Sequence, residues 1–336
     1  MFRYIKKIKK VATNCSLIAL VCGVMHTQAE VEAADLIKND SMNLSLFGQI
    51  WLKANKISHS PTSATGQEGL TFDYEESRFG VKGSYQINPN LKSFYVLELG
   101  YNDADTSAAA FGQREALVGL EGILGEVAFG RMSSTYKMAG VKIDPFNDTA
   151  AGLGKGGPNY GLSDYGGDFF SDTIAYKSPE LFYSGLKLNT QLMVDDSNAD
   201  DHDFNFGLSY ETDKLDVWLQ YLDINNTVES KTGAVEEALR ISAQLKLGQW
   251  TFAASNESYS KAKVDYLYFT TSYTKGKCKI SASYGDVEND GSGFSLGYFH
   301  DLADNFLTYV LHSNVERDQS VSPDRQTSSV GLVLSF

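Results

Sequence analysis

Three stretches carry residue types that could do chemistry. GFSLG (293–297) matches G-x-S-x-G, the pattern in which a serine on a sharp strand-to-helix turn becomes a hydrolytic nucleophile. GLGKGGPNYGLSDYGGDFF (152–170) packs seven glycines into nineteen residues and contains a Gly154-Lys155 pair, a fragment of a phosphate-cradling loop. VDDSNADDHD (194–203) gathers Asp195, Asp196, Asp200, Asp201 and Asp203, an oxygen-rich set of the kind that holds divalent cations.

Each pattern lacks the context its chemistry needs. Around Ser295 the sequence alternates as a strand, with no helix after it. His300 and His312 are the only nearby bases, and no spacing joins them to the serine. A phosphate loop requires Ser or Thr after the lysine and then a helix, whereas Gly156, Gly157 and Pro158 follow Lys155. The acidic run lacks the EF-hand's glycine and closing glutamate, and reads as a solvated loop. With five histidines, no H-E-x-x-H and a single cysteine beyond the leader, zinc is not expected. The sequence predicts a non-enzyme, with no metal and no cofactor.

The ends and the charge set further bounds. MFRYIKKIKK carries five basic residues and precedes the apolar run SLIALVCGV (16–24), followed by small residues. This is the form of a secretory signal peptide, predicted over 1–29 with cleavage after Ala29 or as late as about residue 34. The whole chain has 29 basic and 42 acidic side chains; without the five basic residues of the leader the balance is 24 against 42, or −18. Such a surface makes nucleic acid an unsuitable partner. Two of three cysteines leave with the leader, so Cys278 has no internal disulfide partner. No later run is long and apolar enough for a membrane helix. Six prolines and an even spread of charge predict one domain over 30–336.

The elements that must position any site follow a period of two. Leu44, Leu46, Ile50 and Leu52 alternate with Ser45, Phe47, Gln49, Trp51 and Lys53. Phe204, Phe206 and Leu208 alternate with Asn205, Gly207 and Ser209. Leu239, Ile241 and Leu245 alternate with Arg240, Ser242 and Gln244. Alternation of this kind puts apolar groups on one face of a strand and polar groups on the other. Short turn words (NPN, ILG, ETDK, LGQ, TKGK, LADN) separate strand pairs, and longer polar connections separate the pairs from one another. Sixteen strands are predicted, commonly 9 to 13 residues long, with no helical pattern of useful length.

Soluble sandwiches use strands of about five or six residues and need no asymmetry between turns. A transmembrane barrel turns its apolar face to lipid, keeps a polar lumen, and has short turns at one end and long loops at the other. It must close, because an open edge would leave backbone groups unpaired in hydrocarbon. The even strand number, 19 Tyr, 19 Phe, the leader, and the outward row Val330, Leu332, Leu334 and Phe336 favour an all-β, 16-stranded antiparallel transmembrane β-barrel.

EESRFGVKGSYQINPNLKSFYVLELGY (75–101), QREALVGLEGILGEVAFGRMSSTYK (113–137) and DTIAYKSPELFYSGLKLNTQL (172–192) resemble strands of the general porins of Gram-negative outer membranes. The resemblance implies a homotrimer of sixteen-stranded barrels, set among outer-membrane lipid and lipopolysaccharide. It implies passive diffusion of ions and small hydrophilic solutes, and a third external loop folded inward. The family's lumenal arginines fall on Arg78, Arg114 and Arg131, and the alternation agrees with an inward side for each. Lys82, Lys53 and Gln49 are expected to face the same way. Many relatives carry arginine where Ala175 stands, so the basic ladder is expected to be shorter, with Lys177 as a partial replacement.

A channel makes no bonds. It needs a wet path and a narrow place where size and field discriminate solutes. The loop 133–172 supplies the opposing carboxylates: Asp144, Asp148, Asp164 and Asp168, with Asp172 at its end. Arginines stay charged at any relevant pH, so facing rows of opposite charge would set up a transverse field. Gly-rich 152–170 reads as the later part of that loop, its glycines letting backbone pass close to the wall, with Tyr160, Tyr165, Phe169 and Phe170 as anchors. A substrate-selective channel, or a barrel with an adhesin or receptor role, is the alternative; an outer-membrane hydrolase ranks below both.

Overall fold

A computed structural model describes residues 34–60, 69–74, 76–101, 111–153, 169–194, 202–223, 237–259, 264–289, 291–317 and 324–336. The predicted leader, most of the acidic run, and Asp164, Asp168, Tyr160 and Tyr165 lie outside these residues.

Among the described residues, eighteen strand segments make one sheet. In chain order they are β1 (Ala34–Lys38), β2 (Met42–Ser60), β3 (Gly69–Asp73), β4 (Arg78–Asn88), β5 (Leu91–Tyr101), β6 (Phe111–Gly122), β7 (Gly125–Ser133), β8 (Phe169–Lys177) and β9 (Leu186–Met193). There follow β10 (Asp203–Glu211), β11 (Leu215–Asp223), β12 (Glu237–Leu247), β13 (Trp250–Tyr259), β14 (Val264–Lys275), β15 (Cys278–Val287), β16 (Gly291–Ala303), β17 (Phe306–Arg317) and β18 (Asp324–Ser335). Each strand from β4 to β18 pairs antiparallel with the next, and β18 closes the ring on β2. Segments β3 and β4 pair with successive parts of β2 and together occupy one position. Segment β1 pairs with β2 through Leu46↔Ala34, beyond the point where β18 ends at Ser335↔Gln49. The ring therefore has sixteen strand positions, as the alternating pattern predicts. Closure leaves no unpaired edge for lipid to meet.

Side-chain phase is inverted relative to a soluble protein. On β12, Ala238, Arg240, Ser242 and Gln244 are buried while Leu239, Ile241 and Leu245 are exposed. On β18, Thr327 and Ser329 are buried while Val330, Leu332 and Leu334 are exposed. Apolar residues on the outside and polar ones inside describe a barrel whose solvent is hydrocarbon.

The sequence did not announce one helix. Within the loop after β7, α1 (Thr135–Val141) forms behind the N-cap Ser134, whose hydroxyl accepts from the Lys137 N–H. Seven residues are too few for a periodic apolar stripe to stand out. The helix persists because Tyr136, Ala139 and Val141 are buried against the inner wall. The expected loop is also shorter at its far end, since β8 begins at Phe169 and takes in Asp172.

Candidate functional site

The chain from Ser134 to Leu153 runs inside the barrel. Helix α1 packs on β9, β10, β11 and β12. At its start the Thr135 hydroxyl meets Asn205 and Gln220, and its amide donates to Gln191. At its end Lys142 pairs with Glu211, close to the short turn after β10. The next residues cross to other walls. Tyr268 on β14 donates to Asp144 at 2.6 Å, Ser295 on β16 donates to the Ala151 carbonyl at 2.7 Å, and the Tyr266 hydroxyl bonds the Leu153 carbonyl.

The inner wall is apolar where this segment sits. Ile143 and Leu153 join Trp218, Tyr266 and Tyr268, while Phe146 joins Trp51, Phe299 and Tyr309. Full burial of each large apolar side chain contributes about 1.5–3 kcal/mol. Gly297 leaves room for Phe146, since a Cβ there would lie 2.7 Å from its ring.

One anchor is ionic. Arg240 and Glu257, both fully buried, pair at 2.8 Å, and Arg240 also donates to the Tyr136 carbonyl at 3.0 Å. The Tyr136 hydroxyl donates to Glu257, and the guanidinium lies 4.6 Å from the Tyr136 ring. Burial and the adjacent carboxylate push this phenol well above its ordinary pKa. Both charges stand on the polar phase of their strands, the only trace they leave in the sequence.

The expected basic residues meet the loop at Asp148, which takes a left-handed φ of 62°. Arg78 Nη1 lies 3.7 Å from Asp148 Oδ2, and Lys53 donates to the Asp148 carbonyl at 3.2 Å. Lys53 also pairs with Asp73 at 3.0 Å. Glu98 on β5 reaches Arg78 at 3.9 Å and Arg114 at 2.5 Å, and Glu76 lies 3.9 Å from both arginines. Three cations thus interlock with four carboxylates. The sequence reading missed Asp73, Glu76 and Glu98; Glu98 was visible as a charge on the polar phase between Leu97 and Leu99.

The expectation that simple alternation carries Arg114 and Arg131 inward is corrected here: both stand at irregularities in the pairing, and counting from their buried neighbours gives the opposite side. Glu98 is opposite Glu115, but Leu99 is opposite Gln113, so Arg114 is the extra residue of a bulge. Strict alternation from Gly119 and Glu115 would turn it to lipid; the bulge re-aims it. Arg131 follows Gly130, whose φ is +133°, and stands alone opposite two residues of β8, Ser171 and Asp172, a one-residue bulge. It donates to the Gln113 carbonyl and to Ser171, and lies 5.8 Å from the Phe169 ring. Arg114 and Lys137 flank the same ring at 4.8 and 4.5 Å.

Two expected members stand elsewhere. Asp144 is buried against β14 and accepts from Tyr268 and the Phe146 amide, so it serves as a loop anchor and not as a face of the basic row. Lys82 shares the inner phase but is exposed, 5.4 Å from the Phe47 ring. It lies four residues, about 13 Å, from Arg78 toward the short turns. The G-x-S-x-G serine is buried and holds the loop, whereas His312 is exposed on the outer side, bonded to Ser328.

A closed sixteen-position ring, apolar outside and polar within, with a chain segment laid through its lumen, has the architecture of a transmembrane barrel. The family model described as Gram-negative porin matches residues 15–320. The chain belongs to that family. It is similar to an outer membrane porin protein of Bordetella pertussis, 26% identical over 182 residues that are 49% of this chain and 46% of the relative. It is also similar to the major outer membrane protein P.IB of Neisseria sicca, 28% identical over 40% of this chain and 39% of that one. The matched part thus spans less than half the length of these curated relatives. Among solved structures, Salmonella typhi OmpF in complex with daunomycin superposes with a TM-score of 0.70 at 15% identity, covering 89% of this chain and 99% of that one. The trimer form of Vibrio cholerae OmpT superposes with a TM-score of 0.63 at 14% identity, over 88% of this chain and all of the other.

Proposed function

We propose that the barrel is a water-filled channel through which ions and small hydrophilic solutes diffuse passively, and that it performs no catalytic step. The observation that carries this reading is the meeting of Asp148, brought in by the loop, with Lys53 and Arg78, beside the Arg114–Glu98 pair, inside a ring of sixteen strands. A charged, fixed constriction in a polar lumen sorts solutes by size and by the match of their dipole to the local field. The carboxylates outnumber the cations in this cluster, and the exported chain carries a formal −18. Both favour a modest preference for cations.

The leader over residues 1–29 would direct export, and three copies would assemble in the membrane. The exposed apolar outer face supports burial against lipid and neighbouring copies, and the solved Vibrio barrel described as a trimer supports that stoichiometry. Asp164 and Asp168 remain proposed members of the acidic side. Proteoliposomes tested for swelling in sugars of graded size check the reading. Rates that fall smoothly with solute size support a diffusion pore, whereas impermeability to every sugar contradicts it.

A further inference from the structure

A second feature of the lumen lies beside the charged cluster. Between α1 and the inner face of β5–β11 is a cavity of about 170 Å³. One part of its lining is apolar: Phe94, Ala128 and Met132 form a buried cluster, with Leu117 and Ala175 packed against them. Met138 of α1 lines the cavity as well. A cavity of ~150 Å³ lined by apolar side chains accommodates a benzene-sized molecule.

The same cavity is lined by Glu115, whose exposure is 6%. Glu115 makes no hydrogen bond or ion pair among the described residues, and Arg114, Arg78 and Lys137 act on its carboxylate only through space. The nearby guanidiniums are committed elsewhere, Arg114 to Glu98 at 2.5 Å and Arg78 to Asp148 at 3.7 Å. Across the strand pair Glu115 stands opposite Glu98, a like charge. A buried carboxylate that accepts no hydrogen bond is costly, and it is relieved by a cation that brings its own N–H donors.

We propose that this cavity is a binding subsite for a small organic cation, an ammonium group carried on an apolar body of ring size. The ammonium pairs with Glu115, and the body lies against Phe94, Leu117, Ala128 and Met132. The inference deepens the channel reading and rests on it, since such a solute would dwell in the lumen during passage. Ala175 fits the same picture, because a long basic side chain there would enter the cavity and take the carboxylate for itself.

Isothermal titration of the refolded full barrel in detergent, with cyclohexylammonium chloride as the probe, tests the subsite without requiring a current. Saturable binding is expected, weakened at least tenfold in Glu115→Gln and at least tenfold for the isosteric neutral probe cyclohexanol. Ala175→Leu, which fills the cavity and keeps the carboxylate, is expected to abolish binding while heat-modifiable mobility stays that of a folded barrel. If Glu115→Gln binds the probe as tightly as the parent, or cyclohexanol binds as well as cyclohexylammonium, the proposal is overturned. A barrel that binds the probe but passes no current in bilayers would contradict the channel reading while leaving the subsite in place.

Discussion

Arg78 and Asp148 stand 3.7 Å apart, with side chains only 5% and 6% exposed, and they join the inner wall of the barrel to the segment that crosses its lumen. The loop carboxylate does not face the basic row across a gap. It sits in contact with it, held by Lys53 through its carbonyl. The charge pattern at this point is interlocked, so removing one member exposes the field of the others.

Asp148→Asn removes one negative charge from the cluster and leaves Arg78 in place. Two unit charges about 8 Å apart in water interact by roughly 0.5 kcal/mol, which is about twofold in relative permeability. A shift of that size toward anions is expected in the reversal potential under a KCl gradient. An unchanged reversal potential would place the solute path away from Asp148.

Glu257→Ala strands Arg240 in a fully buried position. Loss of one partner from a buried pair costs about 3–5 kcal/mol. The variant is expected to unfold at markedly lower urea, and its loop to be cleaved by protease at concentrations that spare the parent. Replacing both Arg240 and Glu257 with apolar residues of similar volume is expected to be milder than the single change. Equal stability of Glu257→Ala and parent would remove this pair as a loop anchor.

Gly297→Ala inserts a Cβ 2.7 Å from the Phe146 ring and close to Phe299. Overpacking of this kind costs about 1–3 kcal/mol. Noisier single-channel current and faster proteolysis of the loop are the expected signs. Current as quiet as that of the parent would mean that Phe146 does not hold the loop through this contact.

The outer face is tested separately. Leu332→Arg puts a charge on the lipid side, at a cost of about 2–4 kcal/mol near the bilayer midplane. Lys82→Ala, at an exposed inner position, is expected to change stability by less than about 0.5 kcal/mol. Refolding yields into lipid vesicles compare the two; similar yields would contradict the assignment of faces.

The barrel was legible because alternation is a strong local signal. Leu239, Ile241 and Leu245 against Arg240, Ser242 and Gln244 already specify which face meets lipid, and pairing in the structure keeps that phase. The site was less legible, for a physical reason. A bulge adds one residue and reverses phase beyond it, so the inward turn of Arg114 is invisible to counting. Lys53 and Arg78 needed no bulge and stand where the pattern put them. Asp144 and Asp148 are four residues apart on one loop, yet one is fixed by Tyr268 and the other by Arg78. Which carboxylate meets which wall depends on contacts between residues far apart in the chain, and no local pattern encodes that.

Single-channel recording in planar bilayers across a range of KCl concentrations tests the central claim most directly. A water-filled diffusion channel predicts ohmic current that rises in proportion to bulk conductivity, arriving in steps of three for a trimer. Complete absence of current from correctly folded barrel, or current that saturates at low salt, would contradict it.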